Sequence, residues 1–391
     1  MLGRRVAVTG LGVVSTCGIG REEFWSGLHG PGLTGRQWIT IEDWDPNPYF
    51  ANPKEARRAD RVEQFAVAAA AEAFEQAGDI GVDPSRFGVI LGTGIGGLGT
   101  LEEQVQIRLE KGERRVSPFL VPMMMANASG AAISMLYGLQ GPNETICTAC
   151  AAATHALGYA ARLIAMGRCD AIVSGGSEAA ATPSSLAGFS NMTALSTSGS
   201  SRPFDKDRDG FVMGEGSAIF ILEEWEHAVA RGANILGEIL GSASNADAHH
   251  ITAPSPGGVG AIACMNLALE DAGLDASAIT YVNAHGTSTP RNDEAEAAAI
   301  RAVFGASRPA VTSIKGVTGH ALGAAGALEA ASVLLSMKHH EIPPTAGTTE
   351  LDDDADIDVV LGSGRSWTPS PAMSNNFGFG GHNGSIIFGP A

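Results

Sequence analysis

Cys150 is the residue of this sequence whose type and position most favour nucleophilic chemistry. It follows a short strand-like run, Thr145–Thr148, and stands before a long Ala-rich helical pattern, Ala151–Met166. The positive end of a helix lowers the pKa of a nearby thiol, and its free N–H groups can bind an oxyanion. A lone cysteine is more often a small buried apolar residue, so both interpretations stay open at this point.

Two histidines also follow strand-like runs and stand among Gly and Thr. His285 lies in the segment Asn283–Thr289, and His320 ends the segment Lys315–His320. Imidazole N–H groups can hold a carbonyl or enolate oxygen while negative charge develops on it. Further along, Phe377–Gly381 alternates aromatic residues with glycines, which permits a close approach of backbone to ligand. Single histidines and aromatic-packed turns are also common structural features.

Two other patterns are weaker. Gly92–Gly97 fits the dinucleotide pattern G-x-G-x-x-G, but no second strand ending in an acid follows about 20 residues later, which favours a structural turn. Cys147 and Cys150 are spaced C-x-x-C. No second Cys/His pair has matching spacing, and Cys147 falls inside a predicted strand, so no metal site is expected.

The composition excludes several classes of protein. The 391 residues include 42 Asp+Glu and 25 Lys+Arg, and the net charge of −17 argues against a general nucleic-acid binder. Five scattered cysteines fit a reducing compartment. The apolar run at Val6 is broken by Thr9 and Gly10, which favours a strand over a signal peptide. Prolines and polar residues interrupt the uncharged stretch Val116–Asn143, so no membrane span and a cytoplasmic location are expected.

Short apolar runs alternate with Ala-rich helical patterns, which predicts an α/β protein with largely buried sheets. The strand-like runs are Arg5–Thr9, Phe87–Gly92, Thr145–Thr148, Asp170–Ser174, Ala218–Leu222, Ile279–Val282 and Ala310–Ser313. The helical patterns are Arg61–Gln76, Ala151–Met166, Val259–Ala272, Asn292–Val303 and Ala321–Met337.

Two of these helical patterns, Ala151–Met166 and Ala321–Met337, are apolar almost all round, which predicts an interior position. Each starts beside a reactive residue type and has a glycine early in the helix. This similarity predicts two related halves that pack together and divide near Asn245–His250.

Four segments together resemble the elongating β-ketoacyl-acyl-carrier-protein synthases (synthases I and II) of the thiolase superfamily, which have a Cys-His-His centre. These segments are Thr148–Ala153, Asn283–Thr289, Lys315–His320 and Asn376–Asn383. VAVTGLGVVS, GTGIGGLG, SGGSEA, RPFDKDRDGFVMGEG and FGFGGHNGSIIF extend the resemblance over almost the whole chain. His320 favours the elongating class over initiating synthases and thiolases, and Cys150 argues against the chain-length-factor homologues, which typically lack that cysteine.

The resemblance implies a thiolase-like fold and an acyltransferase activity. The fold would have two similar halves, 1–246 with the nucleophile and 247–391 with both histidines, in a five-layered α-β-α-β-α core. Cys150 would take an acyl group from a carrier-protein thioester and condense it with malonyl-carrier protein, giving 3-oxoacyl-carrier protein in fatty-acid elongation. A ketosynthase subunit of a type II polyketide synthase is the alternative. A noncatalytic, chain-length-factor-like partner subunit is the alternative of a different class.

The same resemblance assigns further roles. Lys315 and Glu329 would support His320 from behind. Phe379 would give a backbone N–H to the oxyanion hole and gate the acyl chain. Substrate-binding residues would be Thr287, Thr289, Leu101 and Phe377. No metal or redox cofactor is implied, because substrates arrive on the phosphopantetheine arm of the carrier.

Carrier proteins are acidic, so a chain of charge −17 needs local basic clusters to bind one. The candidates are Lys54, Arg57 and Arg58, at helical spacing, and Arg114 and Arg115. The family resemblance favours a homodimer, with Leu120 on an interface segment, and a heterodimer with a chain-length-factor-like subunit stays open. Two departures from the family, Thr193 where an Arg is frequent and a shortened Gly30–Arg58 region, suggest a specialised carrier.

Overall fold

The computed structural model describes residues 1 and 3–391, and strands alternate with helices along most of their length. The strands are β1 Val6–Ser15, β2 Gly18–Ile19, β3 Phe87–Gly92, β4 Asn143–Ile146, β5 Ala171–Glu178, β6 Gly216–Glu224, β7 Gly237–Ala246, β8 Tyr281–Asn283, β9 Ala310–Thr312, β10 Glu341–Ile342, β11 Asp358–Val359, β12 Arg365–Ser366, β13 Ala372–Gly378 and β14 His382–Gly389. The helices are α1 Arg21–Gly27, α2 Pro53–Ala56, α3 Arg61–Ala77, α4 Leu98–Lys111, α5 Leu120–Met124, α6 Ala128–Tyr137, α7 Ala152–Ala165, α8 Pro183–Asn191, α9 Trp225–Ala230, α10 Val259–Ala272, α11 Pro290–Phe304, α12 Lys315–Thr318 and α13 Ala325–His339.

The strand order repeats between the two halves of the chain. It is β1-β6-β5-β3-β4 in the first and β7-β14-β13-β8-β9 in the second, with β11 added beside β9. In both sets the first two neighbouring pairs are antiparallel and the next two are parallel. A short pairing of β1 with β7, at Ala7–Glu238 and Val8–Gly237, joins them into one 12-stranded sheet within the described residues. The repeat supports the predicted relationship between the halves.

Helices cover both faces of each set of strands. α3 packs on β1 and β6 from outside, and α10 packs on β7 and β14 in the equivalent way. α7 and α13 pack on each other and on strands of both sets, so they form the layer between the two sets of strands. The five-layered, thiolase-like α/β architecture is therefore confirmed, as is the interior position of the two apolar helices, whose residues are almost all buried.

A glycine on the first strand of each half lets the outer helix approach closely. A Cβ atom at Gly12 of β1 would lie 1.9 Å from the carbonyl oxygen of Ala69 in α3. At Gly241 of β7 it would lie 2.6 Å from the backbone nitrogen of Ala272 in α10. Any larger residue would therefore separate helix from strand at both positions.

The structure also corrects the expected elements. β7, β13 and β14 are absent from the predicted strands, because their Gly, Ser and Asn content is typical of turns. β4 ends at Ile146, so Cys147 lies beyond the strand and not inside it.

The proposed division after residue 246 falls at the end of β7, whereas the pairing of β7 with β14 over most of its length favours a division before Gly237. None of the helices in the described ranges has the length and apolar character needed to cross a membrane.

Substitution of Gly12 tests the close contact between β1 and α3. We expect Gly12→Ala to lower the free energy of unfolding by roughly 1–3 kcal/mol, because the added methyl group overlaps rigid backbone. Gly188, inside α8, has no heavy atom within 4 Å of the place that an added methyl group would occupy and no positive φ, so Gly188→Ala is the matched control. It should be neutral or stabilising by about 0.5–1 kcal/mol. Equal denaturation midpoints for the two variants would contradict this packing.

Candidate active site

Cys150 lies in a tight turn between β4 and the central helix α7. The turn Ala149–Ala151 is a 3₁₀ helix, and Ala149 has a φ of 49°, a conformation that residues with side chains rarely adopt. Gly378, at the end of β13, approaches the turn so closely that a Cβ there would lie 3.0 Å from the Cys150 nitrogen. The turn therefore presents the buried thiol to the neighbouring loops of the second half.

Both predicted histidines lie close to the thiol. His320 follows α12, and its Nε2 lies 3.0 Å from the Cys150 Sγ. His285 follows β8, and its ring centre lies 5.3 Å from that of His320. The sulfur and one nitrogen of each ring lie within 4.8 Å of one another, and all three residues are buried. One reacting group can therefore contact the thiol and both imidazoles together.

This cluster also has the composition of a partial metal site, with one sulfur and two nitrogen ligands. However, the ammonium group of Lys315 lies 3.3 Å from His285 Nδ1. A fixed positive charge so close in a buried site repels a metal cation. The arrangement is better suited to holding an oxygen on which negative charge develops.

Lys315 and Glu329 form a buried ion pair, but it supports a different histidine from the one expected. The Lys315 Nζ bonds the carbonyl oxygen of His285 at 2.5 Å and approaches its Nδ1. The prediction that the pair stands behind His320 is therefore wrong. Lys315 is the first residue of α12, and its side chain extends towards the β8 loop and not along α12 towards His320. His320 Nδ1 has no hydrogen-bond partner among the described residues.

Asn376, on β13, completes this network and was not among the predicted site residues. Its amide nitrogen bonds Glu329 Oε2 at 2.6 Å and lies 3.2 Å from His285 Nδ1. Its amide oxygen accepts a bond from Thr154 of α7 at 2.5 Å. The only sequence clue is its position directly before Phe377 in the glycine-aromatic run.

Glu296 is a second residue that the sequence analysis missed. Its carboxyl group accepts the backbone N–H groups of His285 at 2.8 Å and Gly286 at 2.7 Å, and burial raises its pKa to about 8. It thereby holds the loop that carries His285 against α11. An acidic residue on the helix after a site loop was the available clue.

The two imidazoles differ in what fixes their protons. Lys315 and Asn376 both donate towards His285 Nδ1, so that nitrogen accepts and Nε2 carries the hydrogen. No such partner fixes His320, whose Nε2 faces the thiol. Burial and the charge of Lys315 hold the pKa of both histidines well below the ordinary value, so both rings are neutral at pH 7.

The pKa of the thiol moves in the opposite direction from the one predicted. Burial raises the pKa of Cys150 to about 11, although the charge of Lys315 and the backbone N–H of Phe379 act to lower it. The residue is therefore a neutral thiol at pH 7. Its activation requires a base, and His320 Nε2 is the group in contact with the sulfur.

A cavity of about 620 Å³ opens from this cluster to the surface. Three of the predicted substrate-binding residues, Thr287, Thr289 and Phe377, line it, and so does Phe379, the predicted gate. Leu101, which was also expected to contact substrate, is not among the lining residues and lies half-buried on α4. The apolar part of the wall comes from Ile95, Phe189, Met192, Phe211 and Leu322. Arg291, another residue missed in the sequence, stands in the wall as an exposed cation.

The predicted basic clusters lie outside the cavity. Lys54, Arg57, Arg58, Arg114 and Arg115 are all exposed. The Arg58 guanidinium lies 4.1 Å from the ring centre of Phe119, which follows Arg114 and Arg115 closely in the chain. This contact brings the two clusters onto a single surface, which we call the basic surface.

Comparison with known proteins agrees with the fold and the cluster. Residues 31–228 match the family described as "Beta-ketoacyl synthase, N-terminal domain", and residues 236–349 match "Beta-ketoacyl synthase, C-terminal domain". The 3-oxoacyl-[acyl-carrier-protein] synthase 2 of Synechocystis sp. is 45% identical over 411 aligned residues, which cover 98% of each chain.

Two solved structures are similar over 100% of both chains. The ishigamide ketosynthase/chain length factor superposes with a TM-score of 0.93 at 33% identity. A type II polyketide ketosynthase in complex with its acyl-carrier protein, bound to the hexaketide, superposes with a TM-score of 0.89 at 33% identity. With its two family matches spanning most of the sequence, this chain belongs to the β-ketoacyl synthase family.

Proposed function

We propose that this protein condenses an acyl group held on Cys150 with malonyl-acyl-carrier protein and releases 3-oxoacyl-acyl-carrier protein in fatty-acid elongation. The observation that carries the proposal is the buried contact of the thiol with His320 Nε2 beside His285, at the inner end of one cavity. The near-full-length similarity to 3-oxoacyl-[acyl-carrier-protein] synthase 2 supports the same reaction.

The first half-reaction transfers the acyl group to the enzyme. His320 Nε2 takes the proton of the Cys150 thiol, and the thiolate attacks the carbonyl carbon of the acyl thioester. The backbone N–H groups of Cys150 and Phe379, both directed at the sulfur, are placed to hold the resulting oxyanion. The carbon–sulfur bond to the carrier then breaks, and the proton on His320 passes to the departing thiol.

The second half-reaction forms the carbon–carbon bond. Nε2–H groups of His285 and His320 hold the thioester oxygen of the malonyl group while carbon dioxide leaves and its electron pair forms an enolate. The enolate carbon attacks the acyl group on Cys150, and the sulfur departs as a thiolate that regains a proton from solvent. His285 acts only as a donor, as its fixed tautomer requires. His320 serves as base and then as donor, which agrees with its unpartnered Nδ1.

No metal or redox group takes part in the proposed reaction, because every charge that develops on substrate oxygen meets an N–H group. The substrates arrive on phosphopantetheine arms, for which Thr287 and Thr289 provide hydroxyl groups along the cavity. Phe379 is half-buried at the thiol end of the cavity, a position suited to a gate for the acyl chain.

Acylation and decarboxylation can be measured separately on single-residue variants. We expect wild type and Cys147→Ala to gain one acyl group from acyl-carrier protein, because Cys147 is exposed and lies outside the cavity. Cys150→Ala should gain none. His285→Ala should still be acylated, but release carbon dioxide from malonyl-carrier protein about 10²–10³-fold more slowly, since one enolate donor is lost.

Intact-protein mass spectrometry and carbon dioxide release give these two readouts. Acylation of Cys150→Ala to the wild-type extent would show that the nucleophile is another residue. Normal decarboxylation by His285→Ala would remove its proposed role in binding the enolate.

The basic surface is the proposed docking site for the acidic carrier protein. None of its five cations lies within 4.0 Å of a carboxylate in the described part of the chain, so all are free to contact a partner. We expect the double variant Arg57→Glu/Arg114→Glu to raise the KM for acyl-carrier protein about tenfold at low salt, with little change at high salt. Its acylation by a carrier-free acyl-pantetheine thioester should be unchanged.

Arg168→Glu is the control, because it makes the same Arg-to-Glu change at one exposed position that lies outside both the cavity and the basic surface. A similar rise in KM for Arg168→Glu would mean that net charge, and not this surface, determines carrier binding.

The exposed edge of β4 is the proposed dimer interface. β4 ends the strand order, so one side of its backbone has no neighbouring strand among the residues that the structure describes. Beside it, Met135 and Leu136 of α6 are 78% and 50% exposed, and Tyr159 of α7 is 37% exposed. An unpaired edge flanked by apolar side chains is typical of a subunit interface. Leu120, on α5, is half-buried, which leaves part of it available to a partner.

We expect light scattering to give wild type a mass twice that of the 40.1 kDa chain. Met135→Glu should have the mass of a monomer, because a dimer would bury the new charge in its interface. Val229→Glu is the matched control, because Val229 is 52% exposed on α9, away from β4. A dimeric Met135→Glu protein would exclude this interface.

The oligomeric state, measured together with extension of acyl-carrier protein, separates the two candidate pathways. The ketosynthase/chain length factor named in one solved structure makes a polyketide role the second candidate. A homodimer that extends acyl-carrier protein unaided supports fatty-acid elongation. A monomer that extends only with a related subunit supports the polyketide alternative. Acyl transfer to Cys150 in either form would exclude a noncatalytic partner subunit.

A further inference from the structure

Arg291 stands in the cavity wall. It is exposed, and it is the one Lys or Arg side chain among the residues that line the cavity. Within residues 1 and 3–391 it lies more than 4.0 Å from every carboxylate oxygen and forms no side-chain hydrogen bond. Its permanent positive charge therefore remains free to bind an anion at the cavity mouth.

The backbone of Arg291 is fixed relative to His285. Arg291 is the second residue of α11, and Asp293 in the same turn accepts the backbone N–H of Ser288 at 3.1 Å. One turn later, Glu296 accepts the N–H groups of His285 and Gly286. Because α11 holds the loop at both points, a ligand that contacts Arg291 is held in a defined position relative to His285.

Two carboxylates in the cavity wall disfavour an anion near them. Asp209 and Asp247 also line it, and both are hydrogen-bonded to neutral donors only: Asp209 to Ser196, Thr197 and Ser198, and Asp247 to Ser255 and Asn383. Neither carboxylate has a cation within 4.0 Å among the described residues. His285 and His320 add no compensating charge, because burial and the Lys315 charge keep their pKa values low. An anionic substrate thus meets two negative groups and one positive group, Arg291.

We propose that Arg291 binds the phosphate group at the outer end of the phosphopantetheine arm. The inference rests on the proposed function, in which the thioester end of the arm reaches Cys150. The phosphate is at the opposite end of the arm and must stay near the exposed mouth, where Arg291 lies. A guanidinium group matches two phosphate oxygens with paired N–H donors, which a lysine or a hydroxyl group does not do. Arg291 therefore sets how far the arm enters, independently of the basic surface.

Acyl-phosphopantetheine and acyl-pantetheine, which differ only by the phosphate, test this without a carrier protein. We expect wild type to be acylated at Cys150 with a kcat/KM about three- to tenfold higher for the phosphorylated probe at low salt, a range typical of a solvent-exposed charge-assisted contact. Arg291→Gln should lose this preference: its kcat/KM for acyl-phosphopantetheine should fall to that for acyl-pantetheine or below it, because Asp209 and Asp247 then face the phosphate without a cation. Arg291→Lys should keep a smaller preference, because it keeps the charge but loses the paired donors.

Arg168→Gln is the control for a general change in charge and should keep the full preference. Equal rates for the two probes with wild type, or an unchanged preference in Arg291→Gln, would overturn the role of Arg291 while leaving the proposed reaction intact. No acylation of wild type by either probe, nor by acyl-carrier protein, would overturn the proposed function and this inference with it.

Discussion

The buried ion pair between Lys315 and Glu329 is the interaction on which the rest of the site depends. Each side chain is 1% exposed, so neither charge can be stabilised by water, and every donor and acceptor must be satisfied by protein. The Lys315 ammonium group donates to the carbonyl oxygen and Nδ1 of His285, and the Glu329 carboxylate accepts a hydrogen bond from Asn376. These requirements fix α12, α13, β13 and the β8 loop relative to one another. Asn376 also accepts a hydrogen bond from Thr154, which lies in the other half of the chain one helical turn beyond Cys150. The ion pair is thereby connected to the helix that follows the nucleophile.

This constraint explains why the two histidines differ although both are buried. The donors around His285 leave its Nδ1 only the role of acceptor, whereas His320 packs against Phe211 and keeps an unpartnered Nδ1. The positive charge of Lys315 disfavours protonation of both rings, which lowers the pKa of each. A neutral donor with a fixed tautomer and a second ring that can exchange its proton suit successive acyl transfer and decarboxylation. The raised pKa of Cys150 agrees with this arrangement, because a neutral thiol needs a neighbouring base.

The sequence predicts those parts of the fold in which local pattern and burial agree. The runs Phe87–Gly92 and Val259–Ala272 coincide with β3 and α10, because one is continuously apolar and the other has a helical period with glycine at its end. β13 and β14 could not be predicted this way: their Asn, Ser and Gly residues are paired in the ladder and in the buried network, which only the tertiary structure supplies.

The same distinction applies to the site residues. The sequence identifies Cys150 from its place between a strand and a helix, and His285 and His320 from their places after strands among glycines and threonines; the structure brings the three together. It does not indicate which histidine Lys315 contacts, because that depends on where a four-residue helix directs one long side chain. Nor does it indicate the raised thiol pKa, since the expectation included the helix terminus but not the burial. Asn376 and Glu296 emerge only from contacts made between distant elements, and Arg291 only from its place in the cavity wall.

Electrostatics acts on this protein over two ranges, and the distinction explains how a chain of charge −17 could serve an acidic partner. At physiological ionic strength, charges on opposite faces are screened beyond about 8 Å, so a partner responds to the surface it contacts and not to the net charge. The basic surface is held together by the contact of Arg58 with Phe119. Inside the cavity, salt screens charges less, so each charged side chain of the wall acts on a bound substrate. There Asp209 and Asp247 oppose an anion near them, and Arg291 is the cation of the cavity wall that can bind one. At the inner end, neutral N–H donors stabilise the negative charge that develops on substrate oxygen during the reaction.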